Sequence, residues 1–513
     1  MKLDANSVEW AIKSLYLHGD TDLFPKPIEI EILNDNLSDS VTKICDLDIS
    51  THQPSAPRRF IVPKDELSYR AATQLDPLDS VILTALIYKY GNDIEKRRRA
   101  ISENSVFSYR FSSSLDGDLY QSHTAWNRYW EHCYKLAETH GFALIADISD
   151  FYNQISHHTL ENQLNESGLP NQATKWLLRL LEKVSVKVSR GIPVGPHAAH
   201  ILAEASLIPV DNSLATRGLL FCRFVDDVIV FAGNKISART NLYQIAEILD
   251  KQQRLHLQKG KTRILKSTEL KELCKQMIED RPINDLEKQI IDIVKKYSGG
   301  NPYKTVYLSE LSDDDLRTFQ PEIIEKVLSE YLSQDQPDFI RLRWFLRRLS
   351  QVGHEAAVNY CLTNFEKLAA AISDVCHYFV SVSRNPEINW GSVGNKLIAL
   401  LDNEIVRSNE YFQMSVLSLF NREPQLDHIP QLVALYKRSS DFLKREVILA
   451  AAVSGHADWI RESKEEVHAM DPWTRRAFLY ATRQLPSEER RFFLKSITAS
   501  SPLESLIIDW AKV

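Results

Sequence analysis

The stretch Arg223-Phe224-Val225-Asp226-Asp227 decides how this chain is read. Two adjacent carboxylates stand between apolar runs, Leu219-Leu220-Phe221-Cys222 before them and Val228-Ile229-Val230-Phe231 after them. Apolar runs on both sides of a short polar tip predict a hairpin. Two like charges in an apolar setting are costly unless a cation neutralises them. Taken alone, the pair fits a polar hairpin tip as well as a metal site, because so short a motif recurs by chance.

Upstream, Phe142-Ala143-Leu144-Ile145-Ala146-Asp147-Ile148 is a continuous apolar run interrupted near its end by a carboxylate, the pattern of a buried strand. Asp147, Asp226 and Asp227 are therefore candidate catalytic residues and candidate metal ligands. Mg²⁺ takes hard oxygen ligands, usually one or two carboxylates plus substrate phosphates. Two such ions, roughly 3.5–4 Å apart, can hold the attacking and leaving oxygens of an in-line phosphoryl transfer.

The spacing around these carboxylates predicts helices over Val8–Leu17, Pro77–Tyr90, His158–Glu166, Thr174–Glu182 and Ala198–Leu207. It predicts strands at Arg59–Val62, Val184–Val188, Leu255–Leu257 and Thr262–Leu265. The run Arg97-Arg98-Arg99 reads as a solvated helix face. After about residue 275 strand signals vanish and one amphipathic helix follows another, with Ser298-Gly299-Gly300-Asn301-Pro302 as the clearest linker. An irregular helical solenoid of the HEAT type is expected there, with a compact bundle as the alternative. The fold class is thus α+β, with domains at 1–275 and 276–513.

Composition narrows the function. The chain has 513 residues, 44% hydrophobic and 25% charged, with a net charge of −6, which excludes a disordered chain and a basic coat protein for long nucleic acid. The six cysteines form no C-x-x-C pair, so reduced, buried thiols are expected rather than zinc or disulfides. No apolar run reaches the roughly 18 residues of a membrane span and no secretory leader is visible, so a cytoplasmic protein without a membrane partner is expected.

In order, the chain shows Asp147-Ile148-Ser149-Asp150-Phe151-Tyr152, Arg190-Gly191-Ile192-Pro193-Val194-Gly195-Pro196, the Asp226-Asp227 hairpin, and Gln258-Lys259-Gly260-Lys261-Thr262. This series resembles motifs A to D of the reverse transcriptase palm. The resemblance implies that Asp147, Asp226 and Asp227 are the catalytic, metal-binding carboxylates and that Mg²⁺, two ions, is the cofactor. It puts Tyr152 at the steric gate under the sugar, Gly195 where backbone meets the incoming nucleotide, and Lys261 near the pyrophosphate. Read without the resemblance, Tyr152 fits a core aromatic and Lys261 a surface lysine. Arg59–Arg70 resembles the fingers, with Lys64 and Arg70 as triphosphate contacts, and Ser105–Arg110 resembles the next fingers block.

Val194 stands where many relatives have glutamine, and over 200 helical residues follow the palm in place of a nuclease or RNase H segment. With Gly19-Asp20-Thr21-Asp22-Leu23-Phe24-Pro25 near the N-terminus, the chain is similar to the bacterial abortive-infection reverse transcriptases of the AbiK and AbiA type, as a short prophage-encoded member. That resemblance implies anti-phage abortive infection, dNTPs as substrates, untemplated synthesis primed by a protein hydroxyl, a covalently attached single-stranded DNA product, and a homo-oligomer. Tyr16 is the weakly preferred priming residue, although it fits an ordinary amphipathic-helix tyrosine. A templated RNA-directed DNA polymerase using a partner RNA is the alternative, and a helical interaction protein with an idle palm is a third reading.

Overall fold

Two strands form a hairpin, β1 (Arg58–Pro63) and β2 (Tyr69–Gln74), and four others a separate sheet: β3 (Phe142–Asp147), β4 (Phe221–Phe224), β5 (Asp227–Ala232) and β6 (Arg263–Lys266). The computed structural model describes residues 1–121, 124–279, 281–301, 304–382 and 388–513. The larger sheet has the order β4-β5-β3-β6 and is antiparallel throughout. β3 and β5 pair in the register Ala143↔Phe231, Ile145↔Ile229, Asp147↔Asp227. Directly opposed residues share a sheet face, so the two aspartates close a row that is otherwise apolar.

Helix α1 (Ala5–His18) packs on α2 (Pro77–Glu95), and α3 (Ala125–Thr139) packs on the helix Ser267–Ile278 and on the sheet. Tyr129, Trp130 and Cys133 of α3 share a buried core with Ala143, Cys222, Ile229 and Phe231 of the sheet. Four further helices complete this region: α4 (His157–Glu166), α5 (Asn171–Val184), α6 (Ala199–Thr216) and α7 (Lys235–Gln253), with α8 as Ser267–Ile278. α7 packs on β3, β5 and α6. Helix α2 starts where Asp76 accepts a hydrogen bond from the Leu78 N–H and Pro77 takes the first turn, a sequence-legible cap.

The expected helices are all present with longer ends. α6 runs past the expected stop at Leu207 and through Pro209 to Thr216. Proline inside a helix costs about 3 kcal/mol or more, while Val210 and Leu214 are both buried beyond it, each gaining roughly 1.5–3 kcal/mol. Two expected strands are not strands. Val184 ends α5, and Val186 and Lys187 turn back at φ 54° and 65°, leaving Val186 and Val188 exposed. The alternation there had no partner strand to pair with. Leu255–Leu257 makes only an isolated bridge, Leu257 to Ile148.

The compact units are not consecutive in sequence. One comprises Met1–Asp22, Ile30–Arg59 and Ala72–Asp280; the other comprises Leu23–Glu29, Phe60–Ala71 and Arg281–Val513. The expected cut after residue 275 runs once along the chain, whereas two early segments, 23–29 and 60–71, cluster with the late helices. The physical reason is aromatic burial: Phe24 and Phe60 pack on each other and on Tyr411, and Phe60 also packs on Phe442.

Within this second unit, α9 (Phe339–Val352), α10 (Ile372–Val382), α11 (Glu410–Phe420), α12 (Asp441–Val453), α13 (Pro472–Ala481) and α14 (Pro502–Lys512) pack in series, each on the next. No strand occurs after Lys266 among the described residues. Gly299 caps the helix Asp285–Ser298 in the left-handed region at φ 65°, as the expected linker requires; Pro302 of that linker lies outside the described residues. All six cysteines are free. Among the described residues no helix is long and apolar enough to cross a membrane.

Candidate active site

Register alone brings Asp147 and Asp227 face to face across β3 and β5, and the Ile148 N–H donates to the Asp226 carbonyl at 3.0 Å. Asp147 is 6% exposed, and its Oδ2 accepts from the Lys261 ammonium at 2.6 Å. The lysine reaches this point because the Gln258 N–H donates to the Asp147 carbonyl, and the Gln258 carbonyl accepts from the N–H groups of Lys261 and Thr262 in a tight turn. Lys261 is therefore an exposed lysine that forms an ion pair with Asp147. Burial, then the charges of Asp226 and Asp147, push the Asp227 carboxyl up to about 7, with Lys261 opposing. Burial would lower the Lys261 ammonium, but the hydrogen bond and charge of Asp147, with the charges of Asp227 and Asp226, hold it above its ordinary value.

The hairpin tip is strained. Val225 sits at φ 57°, a left-handed conformation that a β-branched residue adopts only when its surroundings impose it. Its N–H donates to Ser108 Oγ at 2.9 Å and its carbonyl accepts from Arg223 Nη1 at 2.9 Å. Arg223 is fully buried and forks onto two carboxylates, Asp211 at 2.6 and 2.7 Å and Glu204 at 2.9 Å. Ser108 Oγ donates to Glu204 at 2.5 Å, and Arg98 donates to Glu204 and to the Ser108 and Tyr109 carbonyls at 2.7, 2.7 and 2.8 Å. Burial acts against every charge in this cluster, yet Arg223 and Arg98 hold Glu204 below the usual carboxylate range, and Asp211 and Glu204 hold Arg223 above its own. At Asp211 burial outweighs the Arg223 charge and raises the carboxyl, while the close pairing of Arg223, Arg98 and Glu204 is what a buried ion cluster needs to be tolerated.

The run Arg97-Arg98-Arg99 is consequently not a solvated face. Arg98 is 6% exposed within the cluster, Arg97 donates to the Gln163 carbonyl at 2.8 Å, and Arg99 pairs with Glu103. Arg110 is likewise buried, donating to Glu95 and to the Arg99 carbonyl. Sequence reasoning passed over Glu204, Asp211 and the role of Arg223. A signal was available: α6 is apolar all round, and two carboxylates seven residues apart on such a helix share one buried face.

Asp150, left-handed at φ 49°, turns the chain off β3 into a short helix, Phe151–Gln154. This carries Tyr152 next to α6, where its hydroxyl meets His200 Nδ1 at 2.6 Å. The Tyr152 carbonyl accepts from Ile192, leading into the glycine loop. Gly195 has φ 131°, and a Cβ there would stand 3.0 Å from the Thr73 carbonyl and 3.3 Å from Thr21 Oγ1. Glycine is thus favoured by the positive φ and by the close approach of Thr73 and Thr21, which lie outside the loop.

Lys64 and Arg70 belong to the other unit. The loop between β1 and β2 is closed by Asp65, which accepts from the Leu67 and Ser68 N–H groups, and by the Lys64 N–H donating to the Ser68 carbonyl. Lys64 is exposed and Arg70 half-buried. The tip is fixed from the helices: Arg343 donates to the Lys64 carbonyl at 2.9 Å and Asn409 to the Ile61 carbonyl at 2.9 Å. Tyr16 lies exposed on α1.

The carboxylate edge suits a hard divalent cation: the buried Asp147 converges with the half-buried Asp226 and Asp227, and burial together with the neighbouring charges raises the Asp227 carboxyl, a cost that a cation would relieve. Among the described residues no group of three or more His, Cys, Asp or Glu side chains forms a ready metal cage. Mg²⁺ needs none, since one or two carboxylates suffice when substrate phosphates complete its shell.

Residues 62–277 match the reverse transcriptase (RNA-dependent DNA polymerase) family, so this part of the chain is a reverse transcriptase domain. No curated protein matches the chain. A solved structure of apo telomerase from Candida Tropicalis is similar over 74% of this chain and 74% of that chain, at 10% identity and a TM-score of 0.34; no property is taken from it.

Proposed function

Starting from a reverse transcriptase domain over residues 62–277, we propose that this chain is a Mg²⁺-dependent DNA polymerase that joins dNTPs without copying a template. Priming is from one of its own hydroxyls, the single-stranded DNA stays attached, and the enzyme acts as a homo-oligomer in anti-phage abortive infection. The observation that carries the polymerase reading is the Asp147↔Asp227 pairing beside Asp226, with Lys261 on Asp147. The untemplated, protein-primed and defence aspects rest on the motif resemblance, on Val194 in place of glutamine, and on the long helical continuation.

Asp147, Asp226 and Asp227 would hold the metal ions, which when bound supply charge neutralisation at the reacting phosphate. Lys261 adds a positive charge beside the same carboxylates and is the candidate contact to the leaving pyrophosphate. Lys64 and Arg70 are the candidate triphosphate contacts, by charge neutralisation and forked hydrogen bonding. Tyr152 and Gly195 bound the space for the incoming sugar.

The test is an incubation of purified protein with Mg²⁺ and labelled dNTPs, without template or primer, resolved on a denaturing gel. Label that migrates with the protein, disappears on DNase treatment or with EDTA, and is absent from Asp226→Ala supports the proposal. Incorporation only after RNA and a primer are added moves the reading to a templated RNA-directed polymerase. No incorporation under either condition favours the idle palm. Tyr16→Phe that still yields DNA-linked protein removes Tyr16 as the primer.

A further inference from the structure

Tyr152 is not alone at its position. His200, the second residue of α6, shares a hydrogen bond with its hydroxyl through Nδ1 at 2.6 Å, with the two rings edge to face. The opposite support of His200 is Tyr109, stacked on the imidazole at 4.1 Å and 6° between planes. Tyr109 is itself in the left-handed region at φ 43°, with its carbonyl held by Arg98 at 2.8 Å. The chain of contacts therefore runs from the buried cluster that braces the carboxylate hairpin, through Tyr109 and His200, to the Tyr152 hydroxyl.

Chemistry decides what this pair does. Burial, aided by the neighbouring His197, pushes the His200 imidazole down to about 3, and burial drives the Tyr152 phenol well above its usual range. A base that weak does not take a proton from that phenol. The pair stays neutral, and the phenol and Nδ1 share one hydrogen bond whose donor is set by the imidazole tautomer. Tyr152 is thus neither an activated nucleophile nor a priming hydroxyl prepared by His200. What remains is orientation: a tyrosine ring tethered at its tip, with its backbone carbonyl tied to Ile192, cannot swing away from the space it bounds.

We propose that His200 is a positioning residue for sugar selection, holding the Tyr152 ring in place so that a 2′-hydroxyl is excluded. This rests on the reading of Tyr152 as the residue beneath the incoming sugar. Preference for dNTPs over rNTPs then depends on the hydrogen-bond partner at position 200 and not only on the bulk of Tyr152.

The experiment measures kcat and KM for dNTP and rNTP incorporation by the full-length protein with Mg²⁺. His200→Phe keeps the stack on Tyr109 and loses the hydrogen-bond partner; it should raise rNTP relative to dNTP use about threefold to tenfold, the scale of one hydrogen bond. Tyr152→Phe removes the hydroxyl and should do the same. His200→Asn, which offers an amide oxygen in place of Nδ1, should stay within about twofold of wild type. A purely structural role would lower the use of both nucleotides alike and leave their ratio fixed. An unchanged ratio in His200→Phe, with a raised ratio in Tyr152→Ala, overturns the role of His200 alone. Equal relaxation in His200→Asn and His200→Phe overturns the hydrogen bond as the cause. A Tyr152→Ala ratio equal to wild type removes Tyr152 as the gate and this proposal with it. No incorporation by wild type, with or without template, overturns the polymerase reading and everything built on it.

Discussion

Hairpin β4–β5 and hairpin β1–β2 both carry residues assigned to nucleotide chemistry, yet they are held by different physics. The first is braced by a buried charge cluster in which Arg223 satisfies Asp211, Glu204 and the Val225 carbonyl at once. The second is held by ring packing of Phe60 and by donors from Arg343 and Asn409 to its backbone carbonyls. A cluster of buried charges is all-or-nothing, since each member left alone is severely penalised. Backbone carbonyls and ring edges lose their partners one at a time and at modest cost. The carboxylate hairpin is held by interlocked charges, and the tip of hairpin β1–β2 by separable contacts to the helices of its own unit.

Four substitutions probe that contrast. Asp226→Ala should lower nucleotide incorporation by about a thousandfold or more, through lost charge stabilisation of the transition state, with little change in melting temperature. A variant retaining a tenth of the activity would break the assignment. Arg223→Met should destabilise the protein by about 3–5 kcal/mol in chemical denaturation, because Asp211 loses its buried charge partner and Glu204 keeps only Arg98 and Ser108. Adding Asp211→Leu, which removes the carboxylate that Arg223 alone neutralises, should recover much of that loss, and failure to recover would mean the charges matter for more than their own mutual satisfaction.

The second unit has its own buried carboxylate, which sharpens the comparison. Glu29 is fully buried between Arg445 and Arg476, at 2.8 and 2.9 Å. Burial pushes its carboxyl up, but the two guanidinium groups outweigh it and hold it down at about 2. A carboxyl depressed on folding contributes stability above its unfolded value, near 4.5, and loses that contribution as pH falls towards about 2. Glu29→Gln should therefore cost about 3 kcal/mol at pH 7, with the gap to wild type closing between about pH 4.5 and 2 in thermal melts. The smallest effect is expected at the fingers hairpin. Arg343→Ala should cost about 1 kcal/mol and raise KM for dNTPs severalfold more than it lowers kcat. An equal fall in kcat would show that the hairpin positions more than triphosphate.

Much of the site was legible because the signals were local. An apolar run ending in Asp147 reads as a buried strand, and Val228–Phe231 after Asp226-Asp227 reads as the return strand of a hairpin. Local reading failed where a pattern depended on a distant partner. Val184–Val188 alternates like a strand but had nothing to pair with, and three consecutive arginines read as solvent-facing until Glu204, over 100 residues away, supplied a buried partner for Arg98. His200 carried no sequence signal at all, since a lone histidine on an apolar helix is ordinary.

By itself the sequence determined the strand that ends at Asp147, the hairpin at Asp226-Asp227, the order of the motifs around them and the switch to helices after the palm, because periodicity and turn chemistry act over a few residues. Only the tertiary structure decided that Asp147 faces Asp227 and receives Lys261, and that Arg98 and Arg223 are internal braces. It alone assigned residues 60–71, the tip and inner part of hairpin β1–β2, to the same compact unit as the late helices. Those outcomes depend on which surfaces remove the most apolar area from water and which buried charges find partners, and both are properties of the whole packed chain.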